Sequence, residues 1–215
     1  MTNKRTATVA LAMCMSLIGC AKPEGDSSTE TASPAAPSTE DVGETVVIES
    51  ADQLTPVQRQ QHETALAAKD ALMTKLSGRL VEAIQKDGPA AAIDVCKSEA
   101  PAIAENVKRE FKVDIGRTSF KLRSSMNPSP DWATEFVETR ADTPQLVSLS
   151  DDALGVFLPI RLQKKCLLCH GPVDQLAEDV KSALKLQYPN DQATGFHEDD
   201  LRGWFWVEVP HPPKQ

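Results

Sequence analysis

The chain has 215 residues, 25% of them charged and 5% aromatic, with a formal net charge of −8. That is enough material for one domain of ordinary size with a real core. The acidic balance argues against nucleic acid as a partner and against a basic face lying on a membrane.

Lys4 and Arg5 make a short positive start, and Val9 to Gly19 is an apolar run of signal-peptide length. The run is too short for a permanent membrane helix, which needs about 20 apolar residues. It ends in LIGC, a small-residue cleavage context that resembles the lipobox of bacterial lipoproteins. Residues 1–20 therefore read as a lipoprotein signal, with Cys20 lipidated and becoming the new N-terminus. The blander alternative is an ordinary secretory signal with an incidental cysteine. Loss of Lys4 and Arg5, with no acid between them and Cys20, takes the net charge from −8 to −10. Ala21, and not Asp, follows the cysteine; by resemblance to Gram-negative sorting rules this leans toward the outer membrane, facing the periplasm. Residues 21–53 are rich in Ser, Thr, Pro, Ala and acids and read as a disordered tether. A flexible coil of that length spans about 30 Å.

The folded domain is expected over 54–215. Leu66, Met73, Leu76, Leu80 and Ile84 recur at helical spacing, predicting a long helix from Thr55 to Lys86 with Pro56 in its first turn and Gly88 beyond its end. Ile93, Cys96, Ala100, Ile103 and Val107 predict a second helix from Pro89 to Glu110, with Pro101 as an interior kink. FKVDIGRTSFKLRS reads as a strand with a Gly break, and Asp131 to Arg140 as a short helix with an Asp cap. GVFLPIRLQ is a strand that Pro159 pushes toward a sheet edge or bulge. Asp174 to Gln187 is a third amphipathic helix, and GWFWVEVP a closing strand. Helices first and strands interleaved later, without a βαβα rhythm, predict an α+β fold with a small antiparallel sheet.

CLLCH, Cys166 to His170, carries the chemistry. Cys-x-x-Cys-His is the attachment signature of a c-type haem. Two thiols two residues apart can each add to one of the vinyl groups on a porphyrin edge, and the adjacent histidine then lies beneath the iron. Such attachment belongs to an exported compartment, which the N-terminus supplies. A zinc site would recruit Cys96 and His170 to the pair but lacks a second Cys-x-x-Cys. A thioredoxin-like pair would need a βαβ unit that is not there. One covalent haem c is the expected cofactor. A lone cysteine on an apolar stripe, such as Cys96, is ordinarily a small core residue. As a sixth ligand it competes with Met73, Met126, His62 and His197. Arg117, Arg123 and Arg202 are candidates to pair with haem propionates, or else ordinary surface charges.

AAIDVCKSEAPAIA, IGRTSFKLRSSMNPSPDW, KKCLLCHG and YPNDQATGFHEDDLRGWFWVEVP together resemble a family of single-haem, c-type domains long known only as a domain of unknown function. The resemblance implies a PAS-like fold, preceded here by the long N-terminal helix. It also implies an unusual sixth ligand, the cysteine of the AIDVC helix, here Cys96, opposite His170. Trp204 and Trp206 depart from the smaller residues expected there, which implies altered surroundings for the haem.

The expected function is one-electron transfer by a lipid-anchored monohaem cytochrome of the bacterial envelope, with a separate protein redox partner and no substrate of its own. With both axial positions filled by protein, no open site remains for oxygen or peroxide, so no enzymatic activity is expected. The alternative is a redox or gas sensor in which loss of a ligand, with a small gas binding in its place, reshapes the domain and signals through a partner.

Overall fold

The computed structural model describes residues 45–213. The expected signal, Cys20 and most of the tether lie outside them. Among the described residues no helix is long and apolar enough to cross a membrane.

The chain enters through β1 (Val46–Ile48), in residues whose composition had assigned them to the tether. This strand pairs antiparallel with a later one, Val47 opposite Val147, so the folded unit starts before Leu54. α1 (Pro56–Asp87) follows. Thr55 caps it reciprocally with Gln58: Thr55 Oγ1 accepts from the Gln58 N–H at 3.2 Å, and Gln58 Oε1 accepts from the Thr55 N–H at 3.0 Å. Pro56 stands at the helix start and Gly88 past its end, with φ +86°.

The face that α1 buries overlaps the expected stripe only in part: Leu76 is buried and Leu66 packs on the core, but the rest of the buried face is mostly small residues. That face is Gln61, Ala65, Ala68, Leu72, Leu76 and Ala83, while Met73 is 44% exposed. Alanines let the helix backbone approach the sheet closely, and a pattern read from large side chains misses such a face.

The predicted second helix is two. α2 (Ala91–Ser98) and α3 (Ala100–Phe111) meet at Glu99, two residues before Pro101. The proline lacks the N–H that would continue α2, and its ring would strike the carbonyl four residues back, so the kink becomes a break. β2 (Asp114–Thr118) comes next. A 3₁₀ turn at Asp131–Ala133 leads into α4 (Thr134–Glu138), and Asp131 does not cap it: no side-chain cap bond is made there.

β3 (Gln145–Ser148), β4 (Leu154–Arg161) and β5 (Leu201–Val209) complete one antiparallel sheet in the order β1-β3-β4-β5-β2. β4 is thus a central strand, contrary to the edge that Pro159 suggested. Pro159 is accommodated because it lies past Phe157, the last residue paired with β3, and beside a register shift at Ile160/Arg161. α5 (Leu167–His170) and α6 (Glu178–Gln187) lie between β4 and β5. α6 starts four residues later than its periodicity implied, since a separate 3₁₀ turn occupies Val173–Gln175.

The fold is α+β: a small antiparallel sheet flanked by helices, led by a long one. On one face, Leu154, Val156, Leu158, Phe205, Val207 and Val209 pack against Ala65, Ala68, Leu72 and Val107 of α1 and α3. On the other, Phe157 and Trp204 stack at 5.1 Å beneath Trp132, Phe136 and Val137. Gly203 makes the tight pairing of β5 with β2 possible: a Cβ there would lie 2.2 Å from the Thr118 carbonyl oxygen, and its φ is +154°.

Candidate functional site

CLLCH begins in a 3₁₀ turn (Lys164–Cys166) and continues as the single turn α5, which puts both cysteines and His170 on one short coil. The segment Asp191 to Phe196 lies alongside it. Gly195 donates to the Gly171 carbonyl (2.9 Å) and Phe196 to the His170 carbonyl (3.0 Å). Gly195 has φ +78°, a conformation that costs glycine nothing.

His170 Nδ1 lies 2.7 Å from the Ala193 carbonyl oxygen and 3.3 Å from Arg202 Nε. An unprotonated Nδ1 would set two lone pairs against each other at the shorter distance. Nδ1 therefore carries the proton and donates it to Ala193, and the Arg202 contact is not a hydrogen bond. The tautomer so fixed leaves Nε2 with its lone pair free for a metal. Burial first, then the charges of Arg123 and Arg202, holds the imidazole pKa well below 6.5, so the ring is neutral at pH 7.

The three arginines do different things. Arg123 is nearly enclosed and forks onto Asp191, Nε lying 3.2 and 3.3 Å from the two carboxylate oxygens. Its Nη2 donates to the carbonyls of Cys169 (2.6 Å) and Ala193 (3.3 Å). Breaking such a buried pair by removing one partner costs about 3–5 kcal/mol. Arg202 spends Nη1 on Ser119 Oγ (2.8 Å) and the Lys121 carbonyl (3.1 Å), and burial lowers its pKa to about 10. The guanidinium of Arg117, on β2, has no hydrogen-bond partner among the described residues, and burial lowers its pKa too.

Cys96, Cys166 and Cys169 are half-buried free thiols. Ile93 of α2 packs with Leu176, Val180, Leu184 and Tyr188, against which Cys169 rests, so α2 is brought to the CLLCH turn. Cys96 lies in the field of Arg117, Arg123 and Arg202, which pull its pKa down, but burial outweighs them and raises it. Burial likewise lifts Cys169 to about 11 and Tyr188 to about 12, with Cys96 contributing to both.

The rival ligands stand elsewhere. Met126 is 84% exposed, Met73 lies on the outer side of α1, and His197 faces solvent beside Asp200. His62 is half-buried on α1. Among the described residues no three His, Cys, Asp or Glu side chains converge as a bound zinc ion would need.

Trp204 and Trp206 are not at the site. Arg117 pairs with Phe205 across β2 and β5 and shares its face of the sheet, whereas Trp204 belongs to the opposite layer with Phe157. A chain of rings links Trp204 to the site, through Phe120 (6.0 Å) and then Phe196 (6.2 Å), whose ring meets His170 edge-on. Asp191 went unrecognised in the sequence. An acid in a turn-rich stretch looks solvated, and its partner Arg123 is 68 residues away.

No curated protein matches the chain. A solved structure described as the cyanobacterial heme-protein Tll0287 matches it at 20% identity, over 75% of this chain and 100% of that one, with a TM-score of 0.48. The Tll0287-like family profile matches residues 42–210, from just before β1 to just past β5, and the chain belongs to that family.

Proposed function

We propose that this protein is a monohaem c-type cytochrome that carries single electrons in the bacterial envelope. The observation that supports it most directly is His170: Nδ1 is committed to the Ala193 carbonyl, and Nε2 is free beside two half-buried thiols at Cys-x-x-Cys spacing. A tautomer locked in this way is what an axial histidine needs. The family's namesake, described as a haem protein, points the same way.

In this reading Cys166 and Cys169 would hold the haem through thioether links, an addition of each S–H across one vinyl group that needs no oxidant. His170 Nε2 and Cys96 Sγ would be the ligands of its iron. Arg117 receives a propionate, since its guanidinium has no other partner among the described residues, whereas Arg123 is occupied by Asp191. The haem supplies a one-electron couple. The chain would supply its attachment, the iron ligands His170 and Cys96, and a partly desolvated, cationic surrounding.

The test is acid–acetone extraction of protein made with a c-type maturation system. Haem should stay on the polypeptide, and Cys166→Ala with Cys169→Ala should release it. Complete extraction from the wild type, or a mass equal to the bare chain, refutes the reading.

Anchoring is proposed through Cys20. The full-length protein should partition into detergent, and Cys20→Ser should abolish this. A wild-type N-terminus other than residue 20 would exclude lipidation.

One observation favours a sensor instead: α2, which carries Cys96, is held to the CLLCH turn by only a small satellite cluster, so release of that ligand could move the helix. Spectra with carbon monoxide and nitric oxide, in both oxidation states, separate the two readings. Indifference to both gases supports the carrier, and ready binding supports the sensor.

A further inference from the structure

Around Ala193 the backbone is held from three directions, through both of the peptide groups that flank its Cα. Its N–H donates to Asp191 Oδ1 at 2.8 Å. Its carbonyl oxygen accepts from His170 Nδ1 at 2.7 Å and from Arg123 Nη2 at 3.3 Å. Arg123 and Asp191 are themselves paired, with side chains only 9% and 8% exposed, and Arg123 also grips the Cys169 carbonyl at 2.6 Å. The ion pair thus spans both sides of the contact that orients His170: the turn carrying the histidine and the peptide receiving its proton.

We propose that Arg123 and Asp191 are positioning residues for His170. They fix its Nδ1–H tautomer by immobilising the backbone on both sides of the Ala193 Cα, and their opposed charges set the electron affinity at the site. The first part concerns the protein chain alone. The second rests on the haem reading above.

The sign follows from electrostatics. The Arg123 cation draws electron density from the Ala193 oxygen, which weakens it as an acceptor and makes the imidazole a poorer donor to iron. The cation also disfavours the extra positive charge of ferric iron directly. Both effects favour the reduced form, and the Asp191 carboxylate opposes them. A pair that merely stabilised the fold would give no such ordered response, because both deletions would then act alike.

Two measurements test this. In the full chain prepared without haem and labelled with ¹⁵N-histidine, the His170 signal, assigned by its absence in His170→Asn, should report the Nδ1–H tautomer. It should persist in Arg123→Lys, which keeps a cationic donor, and become a mixture of tautomers in Arg123→Met. An Nε2–H tautomer in the wild type, or an unchanged one in Arg123→Met, overturns the positioning role whatever the chain binds.

In the haem-loaded full chain, Asp191→Asn keeps an acceptor for the Ala193 N–H but leaves the cation unbalanced. It should shift the ferric-to-ferrous preference about tenfold toward ferrous, raising the potential by about 59 mV. Arg123→Lys should stay near wild type. Arg123→Met should move the potential the opposite way. Shifts of the same sign in Asp191→Asn and Arg123→Met, or none in either, overturn the electrostatic role. A chain that shows the expected tautomer but takes up no haem leaves the positioning role supported, and refutes the cytochrome reading and, with it, the electrostatic role.

Discussion

Cys96 is pulled two ways: burial among apolar side chains raises its pKa, and the charges of Arg117, Arg123 and Arg202 lower it. A ferric ion bound there, as proposed, would tip this balance toward thiolate. Anionic sulfur stabilises ferric over ferrous iron, and each tenfold of that preference is worth about 59 mV. A preference of roughly a hundredfold to a thousandfold predicts that Cys96→Ala raises the potential by about 120–180 mV and changes the low-spin electron paramagnetic resonance signal. Met126→Ala should change neither, since Met126 is 84% exposed. The reverse pattern would make the protein a His/Met cytochrome. At this scale the grouping of Cys166, Cys169 and His170 on one short coil was legible in the sequence, because local spacing sets it. That α2, the helix of Cys96, lies against that coil was not, because contacts distant in sequence bring it there. The Arg123–Asp191 pair was not legible, because it joins two irregular segments and no local pattern marks it.

The α2–α3 break depends on contacts outside the helices as well as on Pro101. Arg79 of α1 forks onto Glu99, Nε to Oε2 at 2.8 Å and Nη2 to Oε1 at 2.7 Å, and so ties the junction residue to the long helix. The hydrogen bonds from Arg79 lower the Glu99 pKa below its ordinary 4.5. A depressed carboxyl pKa means that the contribution to stability is present above about pH 4.5 and is lost as pH falls through the folded value. Glu99→Gln should therefore unfold at lower denaturant than wild type at pH 7, with the gap closing below the folded pKa. A gap that persists in acid would mean that Glu99 acts through packing and not charge. Elements like α1, β2 and β5 were legible because capping and periodicity are local. The central place of β4, the alanine face of α1 and the strand β1 were not. Each is decided by a partner distant in sequence: β1 looks like tether by composition and becomes a strand only because Leu146 to Ser148 offer it an edge.

At the scale of the whole molecule three apolar clusters hold the elements that carry the candidate site. The largest joins the sheet to α1 and α3. The second is aromatic, on the opposite face of the sheet, and touches the site through Phe120 and Phe196. The third is small: Ile93, Leu176, Val180, Leu184 and Tyr188, with Cys169 against them. That satellite holds α2 and α6 to the CLLCH turn, and so it presents Cys96 and Cys169 to the same space. Five buried side chains at about 1.5–3 kcal/mol each give it far less cohesion than the main core, before the entropy of ordering the segments is counted. A haem bound by both α2 and α5 would cross-link this cluster, so its removal should loosen the molecule unevenly. Native-state hydrogen exchange on the Cys166→Ala, Cys169→Ala variant should show amides of α2, α5 and α6 losing protection by at least tenfold against the haem-loaded wild type. The amides pairing β4 with β5, buried between both large clusters, should keep theirs. Uniform loss across sheet and helices would mean that the haem stabilises one cooperative unit. No loss in α2 would mean that Cys96 does not reach the iron.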